Sequence, residues 1–404
     1  AIQQAIDLAG KDGLVALDEG TFLINTQLMI TNGVTLVGKG WNKTTLKYVG
    51  AAQAGTSRVA TIKDGGTLGS VTVTGGFVDG SNKHGGGILI DGTGTVSWCK
   101  VTGNKVGRGF GGGIGVIGKG KATIDHTIVS GNSAPGNSLA SVNIPNGAGI
   151  GVTASSASEG VELLIDTCLV CDNVCGAQVN GFGGGICIQG YYVTSAVIRN
   201  TTVAGNSVSG LGGGLYMDGQ KSKSSITLEN NIFAANTAGG VAANVEITSG
   251  TTAPKTIADC FFGLASEVLG TDSASGDPGF VGNGDYHLSA AKKLGYSTSE
   301  TLQDLDGNER TGALDVGCYA FGGTTPVDPP EEPHEHVYPA TNYNWSADHT
   351  SCTASMTCSV CKEKISESVQ AQYAVVTEAT ESATGLGRYT ATFVNPAFAS
   401  QTFD

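Results

Sequence analysis

The stretch "GFGGGICIQG" (181–190) recurs along the chain. It returns as "HGGGILIDG" from His84, "GFGGGIGVIG" from Gly109, "NGAGIGVTA" from Asn146 and "GLGGGLYMDG" from Gly210. A glycine run before an apolar residue has two readings. It can cradle a phosphate, which needs a helix after the glycines and often a lysine. It can also turn the backbone into a strand, where glycine permits positive φ or close backbone approach. Here β-branched residues at alternate positions follow the glycines, so the run reads as the corner of a scaffold.

The spacing of the copies carries the fold. Their last glycines are Gly87, Gly113, Gly149, Gly185 and Gly214, at steps of 26, 36, 36 and 29 residues; a degenerate copy ends at Gly240, before Val241. A second motif alternates with the first and ends in asparagine, at Asn104, Asn132, Asn173, Asn206 and Asn236; "VTVTGG" (71–76) reads as an earlier copy that has lost it. Periods of this size signal stacked coils that bury apolar edges only against their neighbours. Each repeat holds three short strands. The first carries Ile88/Ile90, Ile114/Val116, Ile150/Val152, Ile186/Ile188 and Leu215/Met217. The second ends at Val96, Ile124, Ile165, Ile198 and Leu228, and the third carries Val101, Val129, Val170, Val203 and Phe233. Short strands at period two without intervening helices predict a parallel β-helix. An asparagine at the same turn of every coil can bond its own turn and the next coil.

Composition agrees. Glycine is 63 of 404 residues, charged residues are 14 % and the formal net charge is −13. A disordered chain would carry more charge and fewer β-branched residues. Collagen is excluded, because proline numbers 10 and the glycines lack a three-residue period. No Lys/Arg cluster of the kind that binds nucleic acid is present, and no apolar run is long enough for a membrane span. Without an initiating Met or a signal peptide, the chain reads as a fragment or processed form, and as a monomer.

Residues 1–46, "AIQQAIDLAGKDGLVALDEGTFLINTQLMITNGVTLVGKGWNKTTL", resemble the opening segment of the pectate-lyase-like superfamily. There an amphipathic helix caps the first coil, followed by "GTF/Y-x-I" and "VTLxGxG" strands. Ala1, Ile2, Ala5, Ile6 and Ala9 supply the apolar stripe for such a helical cap over 1–12. "DPGFVGNGDYHLS" (277–289) and "LQDLDGNERTGALDVGCYAFGG" (302–323) resemble the closing segment of secreted bacterial β-helix proteins of the choice-of-anchor type. The resemblance spans about residues 1–323 and implies an all-β, right-handed parallel β-helix there. It implies less about activity, since the superfamily includes lyases, hydrolases and adhesins.

A Pro- and acid-rich linker follows at 324–335, within "GGTTPVDPPEEPHEH" (322–336). Residues 336–404 form a second, β-rich module. "YNWSADHTSCTASMTCSVCKEK" (343–364) and "ATGLGRYTATFVNPAFASQTF" (383–403) resemble small repeat modules found in tandem on surface proteins of gut-type Firmicutes and Actinobacteria. That resemblance implies an extracellular location.

Several groups are candidates for chemistry. Lyases of this fold need a cation or metal to neutralise a uronate carboxylate and a base for its C5 proton, whereas hydrolases need two carboxylates. Loops 79–86, 105–112, 133–148 and 176–184 leave successive coils. On them Asp79, Lys83, His84, Lys105 and Arg108 precede the glycine runs and are expected to line one edge. His84, Arg108, Lys105 and Asp79 are the catalytic candidates. Lys83, with Tyr191, Tyr192 and Tyr216 as sugar-stacking faces, makes the substrate-binding set. Asp125, Asp166, Arg199 and Glu229 recur seven residues before the asparagines and read as a ladder ion pair.

Cys99, Cys168 and Cys260 share an inward position that Thr127 and Thr201 fill in other coils, and a disulfide is open among Cys171, Cys175 and Cys187. Cys352, Cys358 and Cys361, with His349 or His336, suffice for a tetrahedral zinc, with a disulfide as the alternative. "DLDGNER" (304–310) resembles half of a calcium loop but lacks the bidentate glutamate, so a capping turn with Arg310 paired to an aspartate is expected in its place. No cofactor is certain. Two functions follow from these features. One is binding or processing of a polysaccharide or host glycan in a groove bordered by 79–112. The other is a non-catalytic adhesin or stalk.

Overall fold

The computed structural model describes the chain apart from residues 51–56, 81–82, 137–145, 155–159, 177–180, 190–192, 219–224, 249–254, 324–337, 339 and 358–363. It divides into two compact units, Ala1–Pro330 and Glu331–Asp404. The expected linker, 324–335, lies outside the described residues.

In the first unit the three predicted rows stack in register. Ile88, Ile114, Ile150, Ile186 and Leu215 are successive partners in the sheet after the glycines, called sheet 1. Val96, Ile124, Ile165, Ile198 and Leu228 are partners in sheet 2. Val101, Val129, Val170, Val203 and Phe233 are partners in sheet 3. All of these pairings are parallel, and every one of these side chains has no exposed surface. Each contributes about 1.5–3 kcal/mol by leaving water, and none can do so without the coils on either side. The helix Ile2–Ala9 closes the first coil by burying Ile6, with Ile2 and Ala9 packed beside it. The stripe is narrower than the sequence suggested, because Ala5 is exposed. Gln3 fastens the helix, accepting the Met29 amide at 2.7 Å and donating to the Met29 carbonyl at 3.2 Å.

The asparagines form one continuous ladder. Asn104, Asn132, Asn173, Asn206 and Asn236 each donate their side-chain amide to a valine carbonyl of the preceding coil, at 2.9–3.0 Å. Their backbone amides donate onward to the next side-chain oxygen. Gly76 occupies the first place in this ladder, so "VTVTGG" is indeed a copy without its asparagine. The ladder's last rung is Asn244, whose amide donates to Glu267 at 2.7 Å. This corrects the last glycine copy. Gly214 donates to the Asn244 carbonyl and Leu215 pairs with Val245, so the coil resumes at 244–245. Val241 instead pairs antiparallel with Ala238.

A fourth row of strands was not anticipated. After each ladder asparagine two residues pair across coils, as in Phe77–Val78, Lys105–Val106, Val174–Cys175 and Ser207–Val208; this is sheet 4. The chain then folds back over the outer face of sheet 1 before the glycines return it. Phe110, Asn146, Phe182 and Leu211, each just before its glycine run, are bridged to one another in parallel and cover that face. The outward residues beneath are small where the cover is closest. A β-carbon on Gly151 would lie 2.7 Å from the Phe110 carbonyl carbon and 2.8 Å from its Cβ. Gly151→Ala is therefore expected to lose about 1–3 kcal/mol through overpacking. Gly160→Ala, with nothing nearer than 3.7 Å, should melt like the parent; equal melting of both variants would contradict the cover.

Sheet 3 is covered as well, by the segment that resembles a closing motif. Leu305, Cys318 and Tyr319 pack on Leu169 and Cys171, while Leu288 and Val316 pack on Ile232, Ala234 and Phe261. Arg310 is buried here, but it does not pair with an aspartate side chain as expected. Its guanidinium donates to the carbonyls of Gly317 at 3.0 Å and Asp315 at 2.9 Å. Asp304 holds the turn by accepting the amides of Asp306, Asn308 and Ala320.

Cys99, Thr127, Cys168 and Thr201 do share one inward ladder, with each amide of Cys99 and Cys168 donating to the next threonine hydroxyl. Asn231 takes the following place and Cys260 the one after. Cys171 and Cys187 are free thiols, so neither a bond between them nor one from either to Cys175 is formed.

In the second unit, Thr341–Trp345, Ser351–Thr357 and Lys364–Gln370 form one antiparallel sheet. Gln372–Thr377, Leu386–Ala391 and Gln401–Phe403 form another. Cys352, Ala354, Met356, Ala391, Phe393 and Phe398 make its core. Cys352 lies in that core. Its strand runs on to Thr357, about 16 Å further at 3.3 Å per residue. Cys358, Cys361 and His336, the other members of the expected zinc set, lie outside the described residues. His349 stacks on Phe403 with ring centroids 3.6 Å apart.

Candidate functional site

Sheet 4 and the fold-back loops bring most of the candidate residues to one edge. Lys105 stands directly opposite Phe77 on the neighbouring strand, and its ammonium lies 5.2 Å from the Phe77 ring centroid. Alternation places Asp79 and Gly107 as the next outward pair. A β-carbon on Gly107 would sit 2.5 Å from an Asp79 carboxylate oxygen. Glycine there leaves the space through which Asp79 reaches Arg108, at 3.1 Å. Both partners are about one-third exposed, at 34 % and 30 %. Lys83 is exposed, with its stem 3.1 Å from where a β-carbon of Gly80 would stand. Lys105, Arg108 and Asp79 thus lie on one edge, with the exposed Lys83 on the loop after Asp79, in a chain of net charge −13. Phe77 and Gly107 were not among the sequence candidates. Their signal was available, since Phe77 precedes Lys105 by the same 28 residues that separate Gly76 from Asn104.

His84 occupies the covering position held by Phe110, Asn146, Phe182 and Leu211 in later coils. Its Nδ1 accepts the Phe110 amide at 3.1 Å, and its ring lies 5.5 Å from that of Phe110. Burial pushes its pKa down to about 4, assisted by Arg58 and Lys83. His84 is therefore neutral near pH 7. Its Nδ1 lone pair is committed and its proton sits on Nε2, so it offers a ligand a donor rather than a base. Arg58 anchors this loop from below, buried and donating to the carbonyls of His84 at 2.9 Å and Gly85 at 3.2 Å.

The remaining candidates lie elsewhere. Tyr216 is only 6 % exposed and lies under Phe182, with centroids 4.6 Å apart, so it does not present a sugar-stacking face. Burial pushes its hydroxyl up to about 12. Tyr191 and Tyr192 fall outside the described residues. Asp125, Asp166, Arg199 and Glu229 are successive partners on sheet 2, and Arg199 meets Asp166 at 2.7 Å, a ladder ion pair as read. His126 was overlooked. Its Nδ1 is 2.7 Å from Asp125 and its Nε2 3.1 Å from the Gln303 carbonyl, with the Trp98 ring stacked at 4.3 Å. Burial opposes its charge, but Asp125, the Gln303 carbonyl and Asp166 together outweigh burial and raise its pKa.

Residues 86–258 match the family described as right handed beta helix region. The first unit is a right-handed parallel β-helix. This β-helix is consistent with the pectate-lyase-like superfamily that residues 1–46 resemble. Among solved structures it is similar to the A-module of the mannuronan C-5 epimerase AlgE4 of Azotobacter vinelandii. That similarity covers 68 % of this chain and 90 % of the other, at 14 % identity and a TM-score of 0.31. No curated protein matches the chain. Among the described residues, no helix of the β-helix protein is long and apolar enough to cross a membrane.

Proposed function

We propose that the protein is an extracellular glycan-binding β-helix whose sheet 4 edge holds an anionic polysaccharide. The observation that carries this reading is the Arg108–Asp79 pair at the sheet 4 edge, with Lys105 on the strand that leads to Arg108 and the exposed Lys83 on the loop after Asp79, all on an acidic molecule. Such an edge attracts carboxylate or sulfate groups against the field of the whole chain. Arg108 is already aligned on a carboxylate, so a ligand carboxylate can replace Asp79 in the same geometry. Rungs about 4.8 Å apart present this edge at close to the length of one sugar in an extended polymer. The Phe77 ring adds an apolar surface beside the Lys105 ammonium. Binding fits better than cleavage, because the one histidine at the edge holds its free lone pair in a backbone hydrogen bond.

Lys105→Ala combined with Arg108→Ala is expected to weaken binding of polygalacturonate or alginate about tenfold or more, and the parent's affinity should fall steeply with salt. Affinity electrophoresis at two salt concentrations reads both. Unchanged retention in the double variant would remove the site. Growth of an unsaturated-uronate absorbance during incubation would replace binding with lyase chemistry.

A further inference from the structure

The C-terminal unit carries a strip of aromatic rings, exposed at Tyr373 and Phe403 and half-buried at Tyr389, His349 and Trp345. Tyr373, Tyr389 and Phe403 stand directly opposite one another on three adjacent strands. Tyr373 and Tyr389 have ring centroids 5.0 Å apart. His349, held at φ 60° in the turn after Thr341–Trp345, lies 6.4 Å from Tyr389 and stacks on Phe403 at 3.6 Å. Trp345, half-buried against the core of the unit, borders the strip 6.0 Å from Phe403. Tyr373 is 57 % exposed and Phe403 39 %, although Phe393 and Phe398 of the same unit are buried in its core. A β-carbon on Gly387 would stand 2.4 Å from the Tyr373 ring, so glycine there lets that ring lie down along the sheet.

We propose that this strip is a binding site for an uncharged glycan chain, whose sugar C–H faces stack on the rings. The site is separate from the sheet 4 edge and does not rest on its reading. Aromatic faces are electron-rich and meet the weakly polarised C–H groups of a pyranose, while tyrosine hydroxyls and the indole N–H bond its hydroxyls at the rim. Charge complementarity selects the uncharged class. Strand alternation puts Arg388 on the opposite face from Tyr389, where it is paired with Asp404. A carboxylated sugar would lose water on a strip that includes no lysine or arginine, with His349 the one ionisable base among its rings. The rings are not coplanar. Successive pairs are inclined by 54°, 43°, 12° and 54°. A twisted strip suits a single chain that turns from sugar to sugar better than the flat face of a crystalline fibre.

The test uses the full chain with three neutral probes, laminarihexaose, cellohexaose and mannohexaose, followed by calorimetry and by tryptophan emission, which Trp345 reports locally. At least one probe should bind. Tyr373→Ala and Phe403→Ala should each weaken it by about tenfold or more, while Lys105→Ala/Arg108→Ala should leave it unchanged. Tyr373 is exposed, and a far-UV and melting profile matching the parent shows that its variant is folded. Absence of binding by all three probes overturns the proposal, as does undiminished binding by the folded Tyr373→Ala protein. Self-association of the parent that Tyr373→Ala abolishes, without any sugar effect, would assign the strip to a second copy instead and equally overturn it. Loss of polygalacturonate binding alone would count against the sheet 4 edge and leave this site standing.

Discussion

Asn173→Ala should destabilise the β-helix by about 3 kcal/mol or more, summing buried groups left unpaired at roughly 1–3 kcal/mol each. The Asn173 side-chain oxygen accepts both the backbone amide of Asn132 at 2.9 Å and its side-chain amide at 3.1 Å. Its nitrogen donates to the Val129 carbonyl at 2.9 Å and to Asn206 at 2.9 Å. Asn132, Asn173 and Asn206 are all fully or almost fully buried. Truncation therefore strands a backbone donor and a backbone acceptor where water cannot replace the lost partner. The damage should centre on the coils containing Asn132 and Asn206, because each coil is supported only by its neighbours. Thermal unfolding measures the loss, and amide exchange locates it. A melting temperature within a degree or two of the parent would mean that the ladder is decoration.

Raising the pH through about 9 is expected to loosen the segment that covers sheet 3. His287 reaches Asp306 at 2.6 Å through Nε2 and Asp285 at 2.5 Å through Nδ1, and its ring stacks on Tyr319 at 3.8 Å. The bond to Asp306 is the main reason its pKa rises from 6.5 to about 9; burial opposes the rise and Asp285 adds to it. A group whose folded pKa is raised stabilises most when it is protonated in both states. Its contribution is thus complete below pH 6.5 and disappears as the pH climbs through about 9. The full shift corresponds to about 3 kcal/mol. Solvent screening at Asp285, which is 47 % exposed, reduces that to about 1–2 kcal/mol. His287→Gln should accordingly melt below the parent at pH 6 and level with it at pH 10. A gap of equal size at both values would dismiss the clamp. Thiol labelling gives an independent reading, since Cys318 of this segment and Cys171 beneath it are both buried where the two pack together.

Much of the fold was legible because its determinants repeat. Every inward row read from the alternation of Ile, Val and Leu is a row in the structure. Gly76 could be placed in the asparagine ladder from its neighbours alone. The errors arose where a local pattern imitated the repeat. Gly239 and Gly240 look like the glycine motif, yet the next coil starts at Asn244, whose position is set by the hydrogen bond from Gly214. Tyr216 alternates outward as read, but alternation cannot say that Phe182 lies on top of it. The edge was found because its residues precede the glycines. The roles within it were not, because His84 looks exposed until the ladder of Phe110, Asn146, Phe182 and Leu211 shows that its position is a cover.

The sequence alone determined the stacking of the first unit. Coil length, strand order and inward rows all follow from side-chain periodicity, which is a property of consecutive residues. Contacts between distant segments were decided only in three dimensions. They wrap one stretch over sheet 1 and another over sheet 3, leave the described outer face of sheet 2 uncovered, and choose which charges meet at the sheet 4 edge. No periodicity encodes them, because each depends on which surfaces are left to bury once the coils have formed. The glycine run of 181–190 shows both sides. Its pattern revealed the corner, and the folded chain revealed that the corner exists to bring a covering strip back into the coil.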